Sequence, residues 1–175
     1  MKRILTRPLL VSWLVFCLFP GCGYTTKTRL PEAIKTIHVN TVGFGIPIEE
    51  IYAYEPGLEI KITDAIIRRL EQDGNLKVVG REEADAILEA TLIRFDQEGV
   101  RFNIIEQVEE YRMFLTLDLY LLNGKRDAII WHEPNFSGDT EYFVSDVRSV
   151  GRQEAAERAI DKLARNVVDR VVEDW

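Results

Sequence analysis

Few of the side chains that carry out chemistry are present. Two histidines and two cysteines occur in 175 residues. Neither His38 nor His132 has a cysteine nearby or a carboxylate at the spacing of a metal-ligand set, so a zinc site or a histidine acid–base centre has little to be built from. Both histidines are expected to be structural or surface residues, and no metal or cofactor is expected. The phosphate-cradling GxxxxGK[ST] and GxGxxG loops, the GxSxG nucleophile turn and the HExxH zinc helix do not occur. Glu106, Glu109 and Glu110 cluster beside a strand, where grouped carboxylates usually form a solvated face, not a catalytic pair. Positive charge is also scarce: 22 Lys and Arg stand against 29 Asp and Glu, a net charge of −7. General nucleic-acid binding needs a basic face and is disfavoured. These absences point away from an enzyme and towards binding or assembly.

The cysteines are informative by position. Cys17 lies inside an apolar run and Cys22 just after it, so a chain cut between them keeps one thiol and forms no internal disulfide. Lys2, Arg3 and Arg7 make a basic start, and Leu9 to Phe19 is apolar apart from Ser12. That run is the length of a signal-peptide core and well short of the about 20 residues a spanning helix needs. Leu18-Phe19-Pro20-Gly21-Cys22 resembles a lipobox, with a small residue directly before the cysteine. Residues 1–21 are therefore expected to be a signal peptide and Cys22 a lipid-modified first residue. Losing the three cations takes the net charge from −7 to −10. Gly23, not Asp, follows the cysteine, which in enteric-type bacteria implies an outer-membrane destination on the periplasmic side. Each buried methylene of an acyl chain adds about 0.8 kcal/mol, so a multiply acylated cysteine holds without help from protein surface.

The remainder reads as one domain. Residues 22–35 are expected to be a polar tether and residues 36–175 a single α/β sandwich. Ile37 and Val39 alternate with Thr36, His38 and Asn40 as in a half-buried strand. Gly43 to Pro56 is rich in Gly and Pro and reads as a loop carrying Tyr52 and Tyr54. Leu58, Ile62, Ala65, Ile66 and Leu70 recur at helical spacing before an Asp73-Gly74-Asn75 stop, predicting a helix over 58–72. Leu76 to Val79 and Ala86 to Phe95 read as strands. In Tyr111 to Leu122, Met113, Leu115, Leu117, Leu119 and Leu121 alternate with Arg112, Phe114, Thr116, Asp118 and Tyr120, a strand with one core face. Asn123 to Asp127 suits a hairpin turn, so Ala128 to Phe136 should return antiparallel, with Pro134 marking an edge or bulge. Asp139 to Arg148 reads as a polar loop. Gln153 to Val172 carries an apolar face of Ala156, Ile160, Leu163, Ala164, Val167 and Val171, predicting a second helix. The expected fold is a two-layer sandwich, a mixed sheet of about four strands with both helices on one face. Phe114 and Tyr120 suggest that the other face is covered as well, by a loop, or by insertion into another protein or contact with lipid. Gly99 to Val108, with Arg101, Phe102, Ile104 and Ile105, reads as a strand or hairpin tip whose apolar side chains need a partner.

Several segments together carry a family likeness: Cys22-Gly23-Tyr24, Ile37 to Asn40, Pro56-Gly57-Leu58, Ala84-Asp85-Ala86-Ile87-Leu88, Glu110-Tyr111-Arg112-Met113, and Leu163-Ala164 with Val167-Val168. Their order and spacing make the chain similar to the LptE family of lipopolysaccharide-assembly lipoproteins over nearly the whole mature length. The resemblance implies a non-enzymatic protein seated inside the LptD β-barrel of the outer membrane, assisting assembly of that barrel and the passage of lipopolysaccharide to the outer leaflet. It also implies an apolar–basic pair before the long strand, which by spacing from Tyr111 falls at Arg101-Phe102, in reversed order. A second basic position of the family lies on the following strand, but Trp131 to Phe136 contains no Lys or Arg. Lys125 and Arg126 at the neighbouring turn are the candidate substitutes. The alternative expectation is an outer-membrane lipoprotein that docks on and activates a periplasmic enzyme such as a peptidoglycan synthase.

Overall fold

The computed structural model describes residues 34–47, 56–144 and 151–172. The expected signal peptide, Cys22, most of the tether and the Tyr52 and Tyr54 stretch lie outside the described residues. Within them the order is β1 (Thr36–Val39), β2 (Gly43–Phe44), α1 (Leu58–Asp73), β3 (Lys77–Val78), a 3-10 turn (Arg81–Glu83), β4 (Ala86–Phe102), β5 (Val108–Asn123), β6 (Ile129–Phe143) and α2 (Arg152–Val172). The strands form one mixed sheet in the order β3-β1-β4-β5-β6, with β2 also on β4. This is the expected two-layer α/β arrangement with six strands among the described residues, not about four. The additional strand is β2, a two-residue parallel pairing of Gly43 and Phe44 with Thr91 and Leu92 inside the expected loop.

The local reasons are those of pattern and termini. In α1 the buried residues Leu58, Ile62, Ala65, Ile66 and Leu70 make one stripe. The helix stops at Gly74, whose left-handed backbone (φ 74°) lets its N–H return to the Leu70 carbonyl at 3.1 Å, a conformation that favours glycine. Because β1 and β3 are parallel neighbours, α1 must carry the chain back across the sheet, a βαβ unit. On α2, Ala155, Ala156, Ala159 and Ala164 leave a low face. On β6 opposite, a Cβ added to Gly138 would stand 2.7 Å from Leu163 Cβ and 2.9 Å from its Cα. Glycine there is what allows helix and strand to approach this closely. Met113, Leu115, Leu117, Leu119 and Leu121 are fully buried on the helix side of β5, so each truncation to alanine would cost about 2–5 kcal/mol.

Two strands run further than the pattern indicates. β4 continues past Phe95, paired to β5 as far as Phe102, and a bulge between Leu92 and Arg94 resets which side faces the core, after which alternation in the sequence is lost. β6 continues to Phe143, so Asp139–Phe143 is strand and not the expected polar loop. Its pairing to β5 shifts between Leu117 and Leu119, where Pro134 and the left-handed Asn135 (φ 59°) lie, and then resumes.

Candidate functional site

The extra length of β4, β5 and β6 builds a ribbon beyond the helices. Its base is tied by Tyr142, whose hydroxyl donates to Gln97 Oε1 at 2.8 Å and whose ring stacks on Tyr111 with centroids 5.7 Å apart. Burial pushes the Tyr142 phenol above its ordinary pKa, which keeps it a hydrogen donor. Arg152, at the start of α2, lies over Phe95 nearby. Past this level Gly99 pairs with Tyr111, Arg101 with Glu110 and Phe102 with Val108. The chain then turns through Asn103–Gln107, with Asn103 Oδ1 accepting the N–H groups of Ile105 and Gln107 at 3.0 Å each and Glu106 in the left-handed region.

Six of the nine large apolar side chains exposed among the described residues gather at this end: Val100, Phe102, Ile104, Ile105, Phe143 and Val144. Phe102 is 56% exposed and Ile104 fully so. Scattered apolar residues on a surface are ordinary, but a contiguous cluster marks a surface that meets something. Among them sits Arg101, its Nε 3.4 Å from Glu110 Oε2 and its guanidinium 5.3 Å from the centre of the Phe143 ring. The tip is therefore an apolar knob with a cation set into it, the arrangement that suits an anionic group attached to an apolar body.

Glu110 corrects one expectation. It is buried at 8% exposure and paired to Arg101, so it is not part of a solvated acidic face. Phe143 and Val144 are tip residues, although both fall inside the stretch 139–148 expected to be a polar loop. The second sheet face also differs from the expected apolar surface. Arg94 lies over Phe114 while bonding Asp96 and Glu98, which raises its pKa through the Asp96 bond first. Arg112 bridges Glu141 and Asp139, and Asp139 also takes Lys162 at 2.7 Å. His132 stacks on Tyr120 at 4.0 Å and meets Asp118 at 2.6 Å, while His38 Nδ1 contacts the Val79 carbonyl. The aromatic rings of that face are thus covered by the chain's own polar groups, and both histidines have partners within the chain.

Lys125 and Arg126 lie at the opposite end of the sheet. β4 starts there, and at about 3.3 Å per residue the strand from Ala86 to Arg101 is on the order of 50 Å long. The four candidate basic-site residues therefore form two separate places, Arg101 with Phe102 and Lys125 with Arg126. Lys125 Nζ is 3.3 Å from Asp85 Oδ1, while Arg126 is exposed. Asp85 is a junction: its other oxygen accepts the N–H groups of Lys35 (3.1 Å) and Thr36 (3.3 Å) and the Thr36 hydroxyl (3.0 Å). The Lys35 N–H first, then Thr36 and Lys125, hold its carboxyl below the usual aspartate range. Gly124 is pressed against this junction, and a Cβ there would fall 1.9 Å from the Ala84 carbonyl oxygen.

Among the described residues no three His, Cys, Asp or Glu side chains are grouped to hold a metal, and no helix is long and apolar enough to cross a membrane. Solved structures share the fold: a protein of Xanthomonas campestris (TM-score 0.56, 14% identity, 83% of this chain and 90% of that one), a protein of Chlamydia trachomatis (0.54, 12%, 80% and 96%) and lipoprotein B of Nitrosomonas europaea (0.52, 14%, 83% of each). No curated protein matches the sequence. The LptE family, described as lipopolysaccharide-assembly, matches residues 34–174. That span covers the helices, the sheet and the ribbon, and the chain belongs to the LptE lipopolysaccharide-assembly family.

Proposed function

We propose that this protein is a non-enzymatic outer-membrane lipoprotein, anchored through Cys22 on the periplasmic side, that seats its ribbon in the LptD β-barrel, assists assembly of that barrel and contacts lipopolysaccharide in transit. The observation that carries the proposal is the exposed apolar tip, Phe102, Ile104, Ile105 and Phe143, which also carries Arg101 over the Phe143 ring. Lipid A carries phosphates on an acyl-chain body. An arginine beside aromatic and aliphatic side chains can meet both parts at once, and a charge-assisted hydrogen bond there is worth about 1.5–3 kcal/mol where water is partly excluded. The pairing of Arg101 with Glu110 gives the site a resident anion, so a phosphate must share or displace that partner. The remaining apolar side chains supply contact area to a barrel wall. Lys125 and Arg126, some 50 Å away along the strand, form a second and weaker basic place, with Lys125 also serving the Asp85 junction.

The test is capture of the mature chain from outer membranes. The expected result is about equal amounts of LptD and this protein, and lipopolysaccharide capture that falls when Arg101 is changed to Gln. Recovery of a periplasmic enzyme such as a peptidoglycan synthase, with no barrel, would favour an activator role instead.

A further inference from the structure

The outer surface of the helix layer holds a cleft unrelated to the ribbon. The groove between α1 and α2 is lined by Lys61 and Glu157 at one end and by Gln72 and Arg165 at the other, so the helices run in the same direction. It holds two hollows that share Arg68 and Asp161, one of about 340 Å³ at the Lys61 end and one of about 240 Å³ at the Arg165 end, the latter over the buried Ala65 and Ala164. Arg68 and Arg69 enter from α1, and Arg165 and Asp161 from α2.

Three arginines converge on this one cleft in a chain of net charge −7. Five other arginines of the described residues are matched to carboxylates: Arg81 to Glu89, Arg94 to Asp96, Arg101 to Glu110, Arg112 to Glu141 and Arg170 to Glu133. Among the described residues Arg68, Arg69 and Arg165 have no ion pair within 4.0 Å, and Arg69 Nε is buried without an acceptor. A buried donor with nothing to bond is costly; that Nε has no surface open to the cleft, so a ligand there would meet the terminal N–H groups of the arginines. Guanidinium groups present paired N–H donors that match two oxygens of a phosphate. Asp161 on the same wall opposes a bare anion but accepts a hydroxyl hydrogen, and the Gln72 amide can do the same or donate. Charged side chains line most of both hollows, which suits a headgroup and not an acyl chain.

We propose that this cleft is a second anion site, taking a phosphate carried on a hydroxylated group, of the phosphoglycerol or phosphosugar kind. It does not depend on the ribbon's role. Such a group could come from a lipid headgroup or from a soluble phosphate ester, and the experiment separates them. The full-length mature chain, in neutral detergent, is titrated calorimetrically with inorganic phosphate and with glycerol 1-phosphate. The same chain in phosphatidylcholine vesicles, with and without phosphatidylglycerol, is treated with phenylglyoxal and mapped for arginine modification by mass spectrometry.

Glycerol 1-phosphate should bind more tightly than inorganic phosphate, and Arg68→Gln/Arg69→Gln/Arg165→Gln should weaken it at least 10-fold, whereas Arg158→Gln, at an exposed arginine of α2 outside the cleft, should not. Arg68, Arg69 and Arg165 should be protected from modification by glycerol 1-phosphate, with Arg158 unprotected. Protection in phosphatidylglycerol vesicles assigns the lipid source, and protection by the soluble ester alone assigns the soluble one. The protection readout uses the unaltered chain, so a variant that fails to fold does not decide the matter. Absence of protection by any phosphate, equal binding by the triple variant, or equal protection of Arg158 would overturn the proposal.

Discussion

Removing the Arg101 side chain should reveal how the tip is held. Glu110 has a side chain only 11% exposed and Arg101 is its ion-pair partner, itself 58% exposed. Stripping the cation from a fully desolvated pair costs about 3–5 kcal/mol because the carboxylate is left alone. Here water already reaches the arginine, so the cost of Arg101→Gln should fall to about 1–2 kcal/mol, including the contact over Phe143, itself worth about 0.5–1 kcal/mol. Glu110→Gln should cost less, about 0.5–1 kcal/mol, because an amide is easier to keep from water. Combined, the two should be less damaging than their sum, with a coupling of about 1 kcal/mol. Urea unfolding of the four proteins followed by circular dichroism measures this. Additivity within about 0.3 kcal/mol would mean that the pair does not contribute and that the description of the tip is wrong. A functional consequence follows from the same contact. Arg101→Glu would set two carboxylates together and confuse folding with binding. Glu110→Gln instead frees the guanidinium and should strengthen lipopolysaccharide capture several-fold, with the double variant falling below wild type.

Other consequences are simpler to state. Gly138→Ala should lower stability by about 1–3 kcal/mol in denaturation curves, since the new methyl meets the Leu163 backbone; an unchanged midpoint would contradict the close approach of α2. Asp85 has a carboxyl pKa held low in the fold, so its contribution is complete above about pH 4 and is lost as pH falls through the lowered folded value. Asp85→Asn should therefore unfold more easily at pH 7, with the gap to wild type narrowing in acid, and a gap independent of pH would count against that junction. Cys22→Ser should abolish incorporation of labelled palmitate and leave the protein soluble or uncleaved; an unlabelled wild type would remove the anchor.

The parts of the fold legible in the sequence were those where one face is buried against a regular partner. The unbroken alternation of Met113 to Leu121 and the stripe Leu58, Ile62, Ile66, Leu70 state their elements directly, because burial on one side imposes a period. Legibility failed where β4 and β6 leave the helix layer. From Asp96 to Glu98 both sides are wetted, and the bulges at Leu92/Arg94 and near Pro134 shift the phase, so no single period remains. The candidate site follows the same division. Arg101, Phe102, Ile104 and Ile105 stand out in a polar stretch and are readable as a tip. The burial of Glu110 and the arrival of Phe143 and Val144 depend on strand pairing across more than thirty residues of chain, which local pattern does not carry. The separation of Lys125 from Arg101 is likewise a matter of topology.

The most direct test of the central claim is photo-crosslinking in living cells from single reactive residues placed at Phe102 and Ile104, with Ile129, an exposed residue at the other end of the sheet, as the control. Adducts of Phe102 and Ile104 with the LptD barrel, and few or none from Ile129, are predicted. Adducts of the two tip positions with a periplasmic enzyme alone, or barrel adducts equally from all three, would contradict the assignment of the ribbon as the part that meets the barrel.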